Sequence, residues 1–315
     1  MPTSNPILAQ LAAFEALRTA VLRVSEAAIS RPGPNDRLLR EALAIEAEEA
    51  QQAGALGFMA RLLVQTTLPH SRQPSKTFVR TNGALKVSVS AHPLLELPYG
   101  RYPRLLMAWV TTEAVRTREP VLHLGPSLTS FMAQLGLLPR GGPTGPIGRL
   151  RDQMQRLFGA TVAFTWDRRA AGEWHDRGFR VSSETHLWWN PVRPEQTVSW
   201  RSTVTLSSGF FEEVCERPVP IDLRVLKALR SPMAIDLYCW LTYRNSYLRK
   251  PSRIPWAALA AQLGADYSDR ENFKRKALSA IRQVLVLYPS ARVDQVLGGI
   301  LLRPCPPHVR RRLDT

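Results

Sequence analysis

Cysteine is scarce in this chain, and long apolar runs are missing. The three cysteines, Cys215, Cys239 and Cys305, are widely spaced and form no C-x-x-C pair, so neither a disulfide framework nor a zinc site is supported. No run reaches the roughly 18 to 20 apolar residues of a membrane span, since Arg61 interrupts the stretch from Ala53 to Val64. The charged N-terminal segment lacks the apolar centre of a signal peptide. We therefore expect a cytoplasmic protein without membrane contacts.

Sequence patterns that several enzyme classes require are also absent. The six histidines form no H-x-H or H-x-x-x-H pair, so a metal-dependent strand nickase has no recognisable ligand set. The glycines from Gly142 to Gly148 resemble a phosphate loop, but Arg149 and Leu150 follow where that loop needs Lys and then Ser or Thr. No G-x-S-x-G motif of serine hydrolases occurs. We therefore expect a protein that is not an enzyme and that uses no cofactor or catalytic metal.

Basic residues are abundant. The chain has 42 Lys and Arg against 26 Asp and Glu, a formal charge of +16, and such a field attracts polyanions. Its 315 residues, 44% of them hydrophobic, are enough for two domains with their own cores. Nucleic acid is therefore the expected partner, provided that the basic residues cluster on particular faces.

The chain contains two copies of one helical pattern. In the first copy, apolar residues at helical spacing predict a short helix that begins after Ser127 and ends at Gly136, and in the second copy a similar helix ends at Gly264. The apolar positions are Leu128, Phe131, Met132 and Leu135, and then Trp256, Leu259, Ala260 and Leu263. Longer predicted helices flank each short one: Pro103–Arg116 and Thr144–Phe158 in the first copy, Pro232–Tyr247 and Asp269–Leu287 in the second. Ser268 and Glu271 form a predicted capping box before the last helix.

Strand-like segments follow the third helix of each copy. They are Thr161–Trp166 and Ser199–Leu206 in the first copy, and Arg292–Leu297 and Gly299–Leu302 around a Gly298-Gly299 turn in the second. Three helices followed by a β-hairpin are typical of a winged helix. The expected fold is α+β, mainly α, with two tandem winged-helix domains at residues 91–215 and 216–315. The joint between the domains is expected at Cys215–Pro220.

The N-terminal part has a different composition, rich in Ala, Glu and Gln. We expect helices near Ile7–Ile29 and Asp36–Leu63, separated by the Arg31–Pro34 break, and then an extended linker. Residues 1–90 are thus predicted to form an N-terminal helical region and linker, with no assigned role.

The surface of the last predicted helix favours DNA binding. At 100° per residue, four side chains lie in one outward-facing stripe: Asn272, Arg275, Ser279 and Arg282. A stripe of this kind can contact base edges in a DNA groove. Arginine can pair with guanine and asparagine with adenine, while neighbouring cations suit phosphates. The expected phosphate contacts are Arg270, Lys274 and Lys276. The alternative is a solvated helix face with no ligand.

The matching helix of the first copy is less basic. Its candidate DNA contacts are Thr144, Arg149, Gln153 and Arg156. Asp152 lies between the arginines and can pair with either of them, so base contact and a purely structural role stay equally open here. The basic tail Arg310–Arg312 would add affinity for phosphate if it were ordered.

Three segments together resemble the plasmid-encoded RepA replication proteins. They are LPYGRYPRLLMAWVTTEAVRTRE (Leu97–Glu119), LRDQMQRLF (Leu150–Phe158) and SPMAIDLYCWLTYR (Ser231–Arg244). The likeness extends from about Leu62 to the end of the chain, and the combination is more specific than any one segment.

This resemblance implies a replication initiator that binds repeated sites in double-stranded plasmid origin DNA, opens the duplex nearby and recruits host replication proteins. It also implies copy control, because in related initiators a dimer, formed through the first winged helix, represses its own gene while the monomer binds the origin. A winged-helix transcriptional repressor is the first alternative. A DNA-nicking or priming enzyme is the second, disfavoured by the missing ligand set.

Overall fold

The computed structural model describes residues 34–140, 145–168, 171–187, 202–264 and 269–310, with side chains from Arg37 onward. The helices are α1 (Pro34–Ala47), α2 (Arg61–Gln65), α3 (Arg101–Thr117), α4 (Leu128–Gln134), α5 (Pro146–Gly159), α6 (Ser208–Glu216), α7 (Leu223–Ala228), α8 (Pro232–Tyr247), α9 (Trp256–Leu263) and α10 (Arg270–Leu287). The expected helix at Ile7–Ile29 and the residues Thr144, Ser268, Arg311 and Arg312 lie outside the described residues.

The strands are β1 (Leu56–Met59), β2 (Thr77–Asn82), β3 (Leu85–Ser90), β4 (Val121–His123), β5 (Thr161–Arg168), β6 (Glu173–Arg180), β7 (Ser182–His186), β8 (Thr203–Leu206), β9 (Val219–Asp222), β10 (Ser252–Pro255), β11 (Arg292–Val296) and β12 (Gly299–Arg303). They pair in antiparallel sheets ordered β1-β9, β2-β3-β5-β6, β4-β8-β7 and β10-β12-β11. The fold is thus mixed, with both helices and sheets.

Two units of the chain share one order of elements. The first unit runs α3, β4, α4, α5 and, after β5 and β6, continues to β7 and β8; the second runs α8, β10, α9, α10, β11 and β12. Both sheets place the last strand between the first and the middle one, as β4-β8-β7 and β10-β12-β11. The three helices expected in each copy are therefore confirmed, with ends that differ by a few residues at most.

The helical apolar faces form the core. The residues Leu128, Phe131, Met132, Leu150, Met154, Phe273, Ile281 and Val284 are all buried. Helix α8 is almost wholly enclosed, and Tyr238 and Trp240 are among the largest fully buried side chains. This burial explains why the 3.6-residue period located the helices correctly.

The helix predicted at Asp36–Leu63 is confirmed as far as Ala47, and its second part and the extended linker after it need correction. Helix α1 ends at Ala47, and β1 occupies the part of the expected helix that lies at Leu56–Met59. A favourable helix composition is overridden here because β1 pairs with β9, a tertiary contact that local propensity does not describe. The expected linker contains the hairpin β2–β3, in which Leu85, Val87 and Val89 are buried on one face.

The strand pairing expected in the first unit also needs correction. Strand β5 was expected to pair with the segment that contains β8, but it lies between β3 and β6, whereas β8 pairs with β4 and β7. The hairpin β5–β6 is thus an addition that joins β2–β3 in a separate four-stranded sheet. The Cys215–Pro220 segment, expected as a joint, contains the end of α6 and the start of β9. The division at residues 90 and 215 stays a prediction.

Candidate nucleic-acid interface

One face of α10 projects cationic and polar side chains into solvent. Arg275, Ser279 and Arg282 are exposed and Asn272 is half-buried; these four residues are called the α10 ridge below. The opposite face carries the buried Phe273, Ala277, Ala280, Ile281 and Val284. The ridge is therefore not packed against the protein interior, and its charged ends are accessible to a ligand.

The contacts within the ridge leave its cations largely uncompensated. Arg275 Nη2 donates to Asn272 Oδ1 at 3.0 Å, and Arg282 Nε donates to the Leu278 carbonyl at 3.3 Å. Beside the ridge, Lys274 Nζ lies 3.5 Å from Glu271 Oε2. Arg270 and Lys276 are exposed, and within the described part of the chain neither forms an ion pair. The side chains expected to meet phosphates can thus do so.

The start of α10 is fixed by Asp269. Its carboxylate accepts hydrogen bonds from the backbone N–H groups of Glu271 at 3.0 Å and Asn272 at 3.3 Å. The cap is therefore Asp269, one residue after the Ser268 of the expected capping box. An acidic cap suits this position because it satisfies free N–H groups at the positive end of the helix dipole.

A groove runs between the first turn of α10 and the β11–β12 hairpin. It has a volume of about 610 Å³, and Arg270 and Lys274 line one side while Leu297 and Gly298 line the other. Gly298, the second residue of the two-residue turn, has a φ of 75°, a left-handed backbone that glycine adopts without strain. Leu297 is 91% exposed at the tip, and Arg253 Nη2 donates to its carbonyl. Sequence reasoning placed this turn one residue too late, at Gly298-Gly299. It also missed Arg253 and Leu297, because only the folded hairpin brings Arg253 to the turn and Leu297 to the groove.

The first unit presents fewer of its expected contacts. Arg149 is exposed. Gln153 is buried, its Oε1 accepts from the Tyr99 backbone N–H at 2.8 Å and its Nε2 donates to Asp152. A base contact by Gln153 is therefore ruled out in this conformation, because both ends of its amide are already used inside the fold.

Arg156 is also committed to partners within the protein. Its Nε lies 2.8 Å from Asp152 Oδ1 and its Nη1 lies 2.8 Å from Glu96 Oε2, and its side chain is only 13% exposed. Hydrogen bonds from Arg72 and Arg156 lower the pKa of Glu96 to about 2. The pairing of Asp152 with a neighbouring arginine is thus confirmed. Arg156 has a structural role in the fold, and its DNA contact stays a prediction.

In the part of the chain that the structure describes, no group of three or more His, Cys, Asp and Glu side chains is placed to hold a metal ion. No helix in the same part of the chain has the length and apolar character to cross a membrane.

Two solved structures are similar to this chain. One is a crystal structure of a selenomethionine derivative of domain 2 and domain 3 of RctB, with a TM-score of 0.50 and 13% sequence identity, covering 76% of this chain and 94% of that chain. The other is a crystal structure of the RctB domains 2-3, with a TM-score of 0.48 and 13% identity, covering 78% of this chain and 96% of that chain. The first likeness defines a shared fold.

The family to which the chain belongs is shown by its sequence. Residues 97–257, just over half of the chain, match the family of plasmid-encoded RepA proteins. The chain therefore belongs to this family, as the three segments quoted above predicted. No curated protein matches the chain in sequence.

Proposed function

We propose that this RepA family member is a plasmid replication initiator that acts in the cytoplasm on repeated sites in double-stranded origin DNA. The observation that carries the proposal is the exposed, uncompensated α10 ridge beside the groove of the β11–β12 hairpin. Family membership supports the replication role, and the charge of +16 supports a polyanionic partner.

We infer that each unit is a winged helix. The shared order of helix, strand, two helices and hairpin supports this interpretation. In such domains the third helix lies in the major groove, with side chains near its start on base edges. The α10 ridge would then read bases, and Arg270, Lys274 and Lys276 would hold phosphates. Arg149 of α5 would contact DNA separately, from the first unit.

Initiation of this kind needs binding energy and DNA deformation, without covalent chemistry. Specific contacts to several repeats can offset the free energy of bending and unstacking the neighbouring duplex. By analogy with related initiators, the first unit would form a homodimer that controls copy number, and DNA-bound monomers would recruit host replication proteins.

The direct test compares DNA duplexes by fluorescence anisotropy at physiological salt. We expect nanomolar affinity for the repeats beside the gene, and binding about a thousandfold weaker or more for scrambled duplexes of the same length. The affinity should fall steeply with salt as counterions are released. Equal affinity for both duplexes would refute sequence-specific recognition.

A replication assay then separates an initiator from a pure repressor. A plasmid that carries only the origin should replicate when the protein is supplied from a second plasmid, and it should be lost when the protein is absent. Maintenance of that plasmid without the protein, together with repression of the gene's own promoter, would identify a repressor instead.

A further inference from the structure

A second cationic surface lies away from the α10 ridge. It is a cleft of about 910 Å³ between α1, the first turn of α3, the loop after α4, the first turn of α5 and the start of α8. No residue lines both this cleft and the groove beside the β11–β12 hairpin. The two surfaces are therefore distinct, and they can be altered separately.

The cleft is lined by five arginines, called the arginine cleft below: Arg37, Arg101, Arg140, Arg149 and Arg230. Within the described residues none of the five forms an ion pair, and the one carboxylate in the lining, Asp152, is bound to Arg156. Charges of one sign that a fold brings together without partners repel one another, and an anionic ligand removes that repulsion.

Arg101 carries the clearest sign of this repulsion. Burial is the main cause that lowers the pKa of its guanidinium; Tyr102 raises this pKa, and the positive charges of Arg230 and Arg37 lower it further. Its Nη2 donates to the Lys227 carbonyl at 2.8 Å, whereas its buried Nε has no hydrogen-bond partner in the described residues. A phosphate in the cleft would relieve the repulsion.

Backbone N–H groups and aromatic rings in the cleft are further features suited to nucleic acid. The N-termini of α3 and α5, at Gly100 and Gly145, line or adjoin the cleft and have no side-chain cap. In α5, Pro146 has no N–H and the Ile147 N–H donates to the Arg140 carbonyl at 3.5 Å, so the α3 end supplies the N–H groups suited to phosphate oxygens. The half-buried rings of Tyr99 and Tyr102 also line the cleft. Arginines interleaved with aromatic rings in a concave surface are typical of sites for single-stranded nucleic acid.

We propose that the arginine cleft holds a single strand of DNA, with arginines on its phosphates and Tyr102 stacked on a base. The proposal rests on the proposed function, because an initiator that opens a duplex creates such a strand. A paired duplex hides the faces of its bases, so recessed tyrosine rings would have nothing to stack on. The duplex repeat is held at the other surface, by the α10 ridge.

The test uses the full chain and two probes in parallel: labelled oligothymidine of about 20 nucleotides, longer than the ~4–16 nucleotides that one such site covers, and the duplex origin repeat. We expect the double variant Arg140→Ala/Arg230→Ala to bind the single strand about tenfold more weakly or worse, because two phosphate contacts are lost. Duplex affinity should stay within about threefold. The matched control Arg116→Ala/Arg217→Ala removes the same charge from exposed sites outside the cleft, and should leave single-strand binding near that of the wild type.

Tyr102 variants test the stacking contact separately. Tyr102→Leu should weaken single-strand binding about fivefold or more, while Tyr102→Phe, which keeps the ring, should not. Thermal unfolding and circular dichroism of every variant show that the fold is intact.

Three results would overturn the proposal. If the wild-type protein binds the duplex repeat but not oligothymidine, the proposed function stands, and the proposal that the arginine cleft binds a single strand is wrong. Equal weakening of both probes by Arg140→Ala/Arg230→Ala would make the cleft part of the duplex surface. Saturable binding of inorganic tripolyphosphate, with no effect of Tyr102→Leu on oligothymidine, would indicate a site for small phosphates.

Discussion

Arg275 lies in the second turn of α10, exposed, with its guanidinium 3.0 Å from the Asn272 side chain. A planar guanidinium can pair with both acceptor atoms of guanine, whereas an ammonium contributes only a point charge. We therefore expect Arg275→Ala to weaken binding to the origin repeat by about 1 to 3 kcal/mol and to relax the preference at one base pair. Competition assays with repeats that are substituted at each position measure both effects.

Arg275→Lys is the matched control, since it keeps the positive charge and removes the planar guanidinium that can donate two parallel hydrogen bonds. It should restore binding to scrambled DNA but not the lost base preference. If Arg275→Ala instead weakens repeat and scrambled duplexes equally, Arg275 contacts a phosphate.

Single side chains show where sequence reasoning reaches its limit. The helical period placed Arg275 and Arg282 on an exposed face correctly. The same reasoning did not find the partners of Gln153 and Arg156 within the fold, because these partners, Tyr99 and Glu96, come from a segment more than fifty positions earlier. A helical wheel gives the direction of a side chain but not the residue that the fold places opposite it.

The first turn of α10 depends on its cap. Asp269 accepts two backbone hydrogen bonds there, and Arg270 and Lys274 follow on the groove side. Loss of a capping side chain costs about 0.5 to 2 kcal/mol, whereas asparagine caps about as well as aspartate. We expect Asp269→Ala to lower the free energy of unfolding by that amount and to weaken origin binding through fraying of the turn, relative to Asp269→Asn.

Comparing the two variants isolates the cap, because both lack the negative charge. Urea unfolding and anisotropy with the origin repeat give the two quantities. Identical values for Asp269→Ala and Asp269→Asn would show that the carboxylate acts by charge alone and that the α10 start needs no cap.

The elements differ in how well the sequence specifies them. Most core helices were predicted because they keep their own apolar period. Helix α8 is buried on nearly every side and has no such period; it was placed as the longer helix before α9, with Pro232 in its first turn. The pairing of the strands was not, since β1 pairs with β9 and β3 with β5, segments separated by most of the first unit. The alternation in β3, with Leu85, Val87 and Val89 buried, was a usable signal for a strand but not for its neighbour.

The two units are joined by a buried network between α3 and α8. Arg104 of α3 contacts both carboxylate oxygens of Asp236 of α8 at 2.7 Å, and it also donates to Thr67 Oγ1 and to the Pro69 carbonyl. His70 Nε2 lies 2.8 Å from the same carboxylate. Both Arg104 and Asp236 are almost fully enclosed, so each charge depends on the other for stabilisation.

This network predicts a large stability effect with a defined pH dependence. Burial alone would raise the pKa of the Asp236 carboxyl, but the charge of Arg104 and hydrogen bonds from His70 and Arg104 lower it to about 2. A carboxyl whose pKa is lower in the folded state stabilises the fold above its unfolded pKa of about 3.9, and this stabilisation is lost as the pH falls from about 4 towards 2. We expect Asp236→Ala to lower the free energy of unfolding at neutral pH by about 3 to 5 kcal/mol, because it leaves Arg104 buried and unpaired.

Urea unfolding of wild type and variant between pH 7 and pH 3 measures this effect, and the difference between them should shrink at the acidic end. Glu113→Ala is the control, since it removes a carboxylate whose partner Arg116 is 68% exposed, and it should cost about 1 kcal/mol or less. The apolar pair Arg104→Met/Asp236→Leu should recover much of the loss, because it removes both buried charges together. A difference that stays constant across this pH range, or equal losses for Asp236→Ala and Glu113→Ala, would mean that the ion pair does not hold the two units together.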